Sequence, residues 1–354
     1  MPERDAPVNQ VSLARKAIGF NLGLAAFVWA AWGLFGGRAA IQDLFTHWQV
    51  ALTMIFGSLV GGGTSEGGGA VAFPVFTKLL HIVPADARNF SLAIQSVGMG
   101  AASLSILYLR IPIEWRAVLY AGAAGTIGVA LGTYFIAPFI PPVLVRALFT
   151  VLVASLAIAL LLINRIEQAM RNPVCPIFGY REKNILAAAG LIGGIISAIL
   201  GCGENIVAFM VMVLLFRISE KVATPTSVIL MTIVAIAGFA LHLFFLHDIS
   251  PNVIGYWLGS VPIVVIGGPL GALACSYMSR RAIVFLLIGL IAIEFLSTLL
   301  LVQMSHFVFL ISAVALVMCG FINIAMVRAT RYRPARFPNA QNDSGPRVSE
   351  MGPS

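Results

Sequence analysis

Two carboxylates stand out because each sits in a glycine-rich polar break between apolar runs: Glu66 in Gly61-Gly-Gly-Thr-Ser-Glu-Gly-Gly-Gly69 and Glu204 in Gly201-Cys-Gly-Glu-Asn205. A carboxylate set among apolar segments costs roughly a few kcal/mol or more unless it is partnered, hydrated or protonated. Glu66 and Glu204 are therefore candidates to take up and release a proton in a transport cycle. Thr64 and Ser65 are good N-caps for a following half-helix, whose free N–H groups and positive dipole end attract anions. Gly67 and the two glycines after it would let a ligand approach the backbone closely. In the second break Gly203, Glu204 and Asn205 stand at the start of a corresponding half-helix.

Polar residues beyond each break could complete a site for a small anion. After the first these are Asn89, Ser91 and Gln95, with Gln95 one helical turn past Ser91 on the same face. After the second they are Thr224, Thr226 and Ser227. Lys78 and Arg217 each follow their glutamate by about a dozen residues, which would place one cation near each mouth. Plainer readings compete for the same residues. Glycine-rich breaks also allow close helix packing, buried glutamates can bond free N–H groups, and Ser91, Thr226 and Ser227 can cross-link helices. Lys78 and Arg217 can be snorkelling anchors, while Glu294 and His242 are expected to be satisfied locally.

No nucleophile with a neighbouring base, phosphate loop or dinucleotide fingerprint is present. Cys175, Cys202, Cys275 and Cys319 show no CxxC or Cys/His spacing. The chain is expected not to be an enzyme and to need neither metal nor cofactor.

The elements that must position these groups follow from composition. The 354 residues are 59% hydrophobic and only 10% charged, with a mean hydropathy of +0.96. A membrane helix needs about 20 apolar residues, and runs of that kind recur along the chain. The net charge of +8 lies in short clusters between them, which reads as a topology signal and excludes nucleic acid as a partner.

Apolar stretches fall at about 17–36, 48–63, 67–81, 89–109, 116–138, 143–163, 184–201, 205–216, 222–246, 252–275, 282–302 and 306–327. The short ones form two pairs, each holding one of the breaks. Non-helical backbone at membrane depth survives only if it is buried in protein or lines a watery cavity. Both pairs are followed by similar steps, Ala87-Arg-Asn-Phe-Ser-Leu92 and Ala223-Thr-Pro-Thr-Ser-Val228, a weak repeat of about 136 residues.

The expected fold is therefore all-α and polytopic: two inverted repeats, about 48–163 and 184–302, each a broken-helix hairpin plus three spanning helices, with one extra helix at each end. Reading each pair as a hairpin puts Arg110, Arg116, Arg165, Arg171, Arg181, Lys183, Arg217, Lys221, Arg280, Arg281 and the Arg328–Arg336 cluster on one side. By the positive-inside rule that side is the cytoplasm, with both termini in it. Residues 1–16 form a cytoplasmic N-terminus, 17–327 the transport domain, and 328–354 a disordered cytoplasmic tail. The apolar run at 17–35 is retained as a first helix, not cleaved as a signal peptide.

With its two glycine-rich breaks, Pro74 after the first, and an Ala-x-x-x-Ser step in each half, the chain resembles the TauE/SafE family of sulfite and organosulfonate exporters over roughly 48–327. The first glycine run departs from that family's pattern at Thr64, Ser65 and Glu66. The second half departs further, with Met212 where a proline would be expected. The resemblance implies outward movement of sulfite, sulfoacetate or a related anion across the cytoplasmic membrane, driven by an ion gradient such as protons. Expected partners are a small anion and membrane lipid; a homodimer is left open. A non-transporting membrane scaffold or assembly factor is the competing reading.

Overall fold

The computed structural model describes residues 7–166, 171–301, 305–329 and 331–332. Nearly all are helical, as hydrocarbon demands, because backbone without water must satisfy its own N–H and C=O groups. In chain order the helices are α1 (Pro7–Thr46), α2 (Trp48–Gly63), α3 (Gly69–Pro74), α4 (Pro84–Tyr108), α5 (Trp115–Phe135), α6 (Pro142–Ile166), α7 (Tyr180–Leu200), α8 (Glu204–Met210), α9 (Glu220–Ala240), α10 (Pro251–Tyr277), α11 (Arg280–Leu301) and α12 (His306–Arg328). Among the described residues no β-strand occurs, and one isolated bridge joins Asn172 to Ile218. Eight helices (α1, α4, α5, α7, α9, α10, α11 and α12) are long and apolar enough to cross a membrane. The chain is a multi-pass α-helical membrane protein.

Three expected boundaries shift. Helix α1 starts at Pro7 instead of 17 and runs on past 36 to Thr46, with a kink at Gly37, where φ is 53°. Helix α7 has 21 residues and starts at Tyr180, so it is not the short segment expected at 184–201. Its polar first turn belongs to the helix, and the Gly179 N–H donates to Glu182 Oε2 at 2.8 Å. The tail expected from 328 does not begin there, because Tyr332 is buried and its hydroxyl donates to Glu182 Oε1 at 2.6 Å. The remainder, 333–354, and residues 1–6 lie outside the described residues.

Two corresponding sets of elements make up the body. Helix α3 continues into a π-helical turn at Val75–Leu79, and α8 into one at Val211–Leu215. Leu80 and Phe216 close the two turns on the carbonyls of Val75 and Val211. The left-handed residues His81 and Arg217 follow, 136 positions apart. Helix α9 carries a further π turn, Leu241–Leu246. A π turn accommodates an extra residue, and the next left-handed pair, Arg110 and His247, is 137 apart.

Packing exchanges the sets. Helix α2 lies along α10, α7 lies along α5, and α4 packs on α9. Helices α4 and α9 run in opposite directions, since Arg88 near the start of α4 is 4.0 Å from Asp248, just past the end of α9. Each hairpin also starts and finishes at one end of the molecule. His47 and Phe90 both pack on Tyr256, and Phe76 packs on Phe90, joining the two feet of the first hairpin. For the second, Asn172 N–H donates to Arg217 O at 2.8 Å and Ser219 N–H to Asn172 O at 3.0 Å.

Candidate anion site

The two breaks meet in the interior. Asn205 Nδ2 donates to the Ser65 carbonyl at 2.8 Å, while its Oδ1 accepts from the Gly203 N–H at 3.1 Å. Helix α4 ties the second break down. Gln95 Nε2 donates to Gly201 O at 2.9 Å and to Ser91 Oγ at 2.7 Å, and Ser91 Oγ donates to Gly201 O at 3.1 Å. Gly67 passes between these groups in the left-handed conformation, φ 73°, where a Cβ would stand 2.9 Å from Asn205 Nδ2 and 3.0 Å from Gln95 Oε1. Both the conformation and the space demand glycine there.

Ser65, Gly67, Ser91, Gln95, Gly203 and Asn205 thus form one buried cluster, with the buried Glu66 between Ser65 and Gly67 in the chain. Ser65 Oγ, Glu66 Oε1 and Gln95 Oε1 are buried and accept or donate no hydrogen bond. A buried polar atom left unmade costs about 1–3 kcal/mol. Ser65 and Glu66 are adjacent in the chain and Gln95 Oε1 lies against Gly67, so these atoms mark a place that a polar ligand would complete, with Ser65 as a donor and Glu66 as a donor whenever it carries a proton.

Other expected members stand apart. Thr64 is not a cap for α3: its hydroxyl donates to Val60 O at 2.9 Å and accepts from Glu66 N–H at 3.3 Å, closing α2. Helix α3 starts after Gly68 with no side-chain cap. The Glu204 N–H at the start of α8 is taken by Ser197 Oγ at 2.9 Å. The Glu204 side chain lies in the α5–α7 seam, where a methyl on Gly125 would be 3.2 Å from its Cγ and one on Gly193 3.3 Å. Both its carboxyl oxygens lack hydrogen-bond partners. In the 136-residue register Glu204 corresponds to Gly68 and Glu66 to Cys202, and the residue matching Pro74 is Met210, not Met212.

Asn89 is engaged near the start of α4, accepting from Arg88 Nε at 3.0 Å and donating to Asp248 O at 3.4 Å. Thr226 accepts from Glu114 N–H at 2.9 Å and donates to Val222 O at 2.7 Å. Ser227 donates to Thr224 O at 2.7 Å. These three join structure to structure. Thr224 differs, since its buried hydroxyl has no partner and lines a cavity of about 270 Å³. That cavity opens between α4, α9 and α10, and its wall includes Gly62, at the start of the first break.

Neither Lys78 nor Arg217 stands at a mouth. Lys78 Nζ is buried against Glu294 Oε1 at 2.8 Å and Thr298 Oγ1 at 2.7 Å, and Thr150 Oγ1 donates to the same Glu294 oxygen at 3.0 Å. Arg217 is buried and donates to the Val327 carbonyl of α12. The role of Glu294 was missed as a partner of the hairpin. Its signal was visible in Glu294, Ser297 and Thr298, a polar face at helical spacing on an otherwise apolar helix.

No curated relative and no solved structure matches the chain. A family model does: that of the sulfite exporter TauE/SafE matches residues 50–298, from the first turn of α2 to the last turn of α11. The match takes in both hairpins, the cluster between them and the Lys78–Glu294 pair. The chain therefore belongs to the sulfite exporter TauE/SafE family, whose members are transporters and not enzymes.

Proposed function

We propose that this chain is a secondary transporter that carries a small sulfur oxyanion, sulfite or an organosulfonate such as sulfoacetate, outward across the cytoplasmic membrane, and that Glu66 links the flux to protons. One observation carries the reading. The tips of the two hairpins meet through Asn205 and Ser65, and beside that contact the buried Ser65 Oγ, Glu66 Oε1 and Gln95 Oε1 have no partners among the described residues. An anion seated there needs donors, and Ser65 and protonated Glu66 supply them. An ionised Glu66 repels the same ligand, so binding and protonation rise together.

The antiparallel course of α4 and α9, and the exchange of packing between the two sets, support inverted repeats with hairpins entering from opposite faces. Transport then exposes the shared cluster to one face and then the other. Glu204 lies in a helix seam and belongs to the moving contact between α5, α7 and α8, a second place where proton uptake could change packing.

Purified protein in liposomes, given labelled sulfite, sulfoacetate and simple carboxylates with and without a pH gradient, tests the reading. Saturable flux of the sulfur oxyanions is expected. Glu66→Gln keeps the shape but fixes the neutral state, so anion binding should persist while flux loses its response to the pH gradient. PH-driven flux that stays normal in both Glu66→Gln and Glu204→Gln would remove the carboxylates from coupling. Absence of flux for every anion would leave the scaffold reading.

A further inference from the structure

We propose that the cavity beside Gly62 is a second anion-binding site, a basic vestibule that takes sulfonates and related oxyanions before they reach the buried cluster. Its walls include Gly62, Arg110, Lys221, Thr224, Cys275 and Ser276. Two cations and no carboxylate line it, and neither Arg110 nor Lys221 forms an ion pair with any described residue.

The backbone is shaped to present one of these cations. Arg110 adopts φ 54°, in the left-handed region that residues other than glycine seldom occupy. Its N–H bonds Leu107 O and the following Ile111 N–H bonds Ile106 O, which turns the chain sharply off the end of α4. Lys221 lies in the first turn of α9, close to the solvent end of the same cavity. Deeper in, Thr224 is 99% buried and its hydroxyl has no hydrogen-bond partner among the described residues. An oxyanion held by the two cations would give that hydroxyl its acceptor. The cavity volume of about 270 Å³ equals that of roughly nine waters at about 30 Å³ each. This suits a small anion that keeps part of its hydration.

The assignment rests on the transport reading for its purpose, but its test does not require transport. Ser276→Cys puts a thiol on the exposed rim of the cavity. Its rate of modification by a sulfonate-bearing thiosulfonate reagent, divided by that for a trimethylammonium-bearing one, measures the local field. Protein without the substitution gives the background, and Phe139→Cys, exposed in a different loop, gives the reference ratio. Each unpaired cation within several ångströms should enrich a monovalent anion about threefold through water. Because the same field repels the cationic reagent, each cation contributes about ninefold to the ratio, so Arg110→Gln with Lys221→Gln should lower it about eightyfold, and Arg110→Lys should restore most of its share.

Millimolar methanesulfonate should slow labelling of Ser276→Cys, and Thr224→Val should abolish that protection without moving the ratio. An unchanged ratio in the double variant, or no protection by methanesulfonate, overturns the site. In liposomes the double variant should raise the KM for sulfite about tenfold at unchanged kcat. Protection and field effect without flux in any form of the protein would leave the vestibule standing and sink the transport reading instead.

Discussion

At the scale of single residues the molecule rests on Gly67, because the first break can reach Asn205 and Gln95 only if its backbone turns left-handed with no side chain in the way. Alanine at this position takes on about 1–2 kcal/mol of conformational cost, and its methyl displaces one of two amides that hold the breaks together. Gly67→Ala is expected to lower the thermal midpoint of purified protein and to abolish binding of sulfite, whereas Gly19→Ala, with open space at its Cβ, should leave both unchanged. Equal behaviour of the two variants would refute the close approach. The sequence made Ser65, Glu66, Ser91, Gln95 and Asn205 legible, because polar groups inside apolar runs need a reason to be there. It did not show which of them share a space. Glu66 and Glu204 look alike on paper, yet one stands between Ser65 and Gly67, the two residues that meet Asn205, and the other in the α5–α7 seam. Their register, 136 residues from left-handed turn to left-handed turn, is set by backbone geometry that residue types alone do not reveal.

At the scale of elements the first hairpin is held by the Lys78–Glu294 pair, which joins the π turn after α3 to α11, with Thr150 of α6 bonding the same carboxylate. Removing one member of a buried pair strands the other charge and costs about 3–5 kcal/mol, while replacing both with apolar groups is often close to neutral. Lys78→Met or Glu294→Leu alone should therefore unfold the protein at markedly lower temperature, and the double variant should regain most of the loss. Additive losses in that cycle, followed by thermal unfolding in detergent, would show that the two side chains act separately. The second set has Leu214 at the position matching Lys78, so the pair fastens one hairpin only. Hairpins were legible from short apolar pairs with polar breaks. The π turns were not, since nothing in composition distinguishes Val211–Leu215 from ordinary helix, and the polar start of α7 disguised a full-length helix as a short one.

At the scale of the whole molecule the question is which way each hairpin faces. The foot of the second hairpin is bonded to the 171–179 segment and to Tyr332, with Arg171 against Glu220 at 3.5 Å and Arg331 against Glu182 at 3.3 Å. These are the basic stretches that the positive-inside rule assigns to the cytoplasm. The foot of the first hairpin packs instead on Tyr256 at the start of α10, and α10 begins just past Asp248, where α9 ends. Since α9 starts beside the second foot and finishes beside the first, one full crossing separates the feet. The proposed inversion therefore makes a sharp demand on accessibility. Trp48 and Tyr180, at the two feet, are both exposed on the protein surface, so cysteine at either is reachable from its own side. An impermeant thiol reagent added to intact cells should label Trp48→Cys and spare Tyr180→Cys; in inside-out vesicles the preference should reverse. A reporter fused after Ser354 should behave as cytoplasmic in the same cells. If both cysteines label from one side, the hairpins enter from the same face, and the shared cluster between their tips could not be opened alternately to the two sides of the membrane.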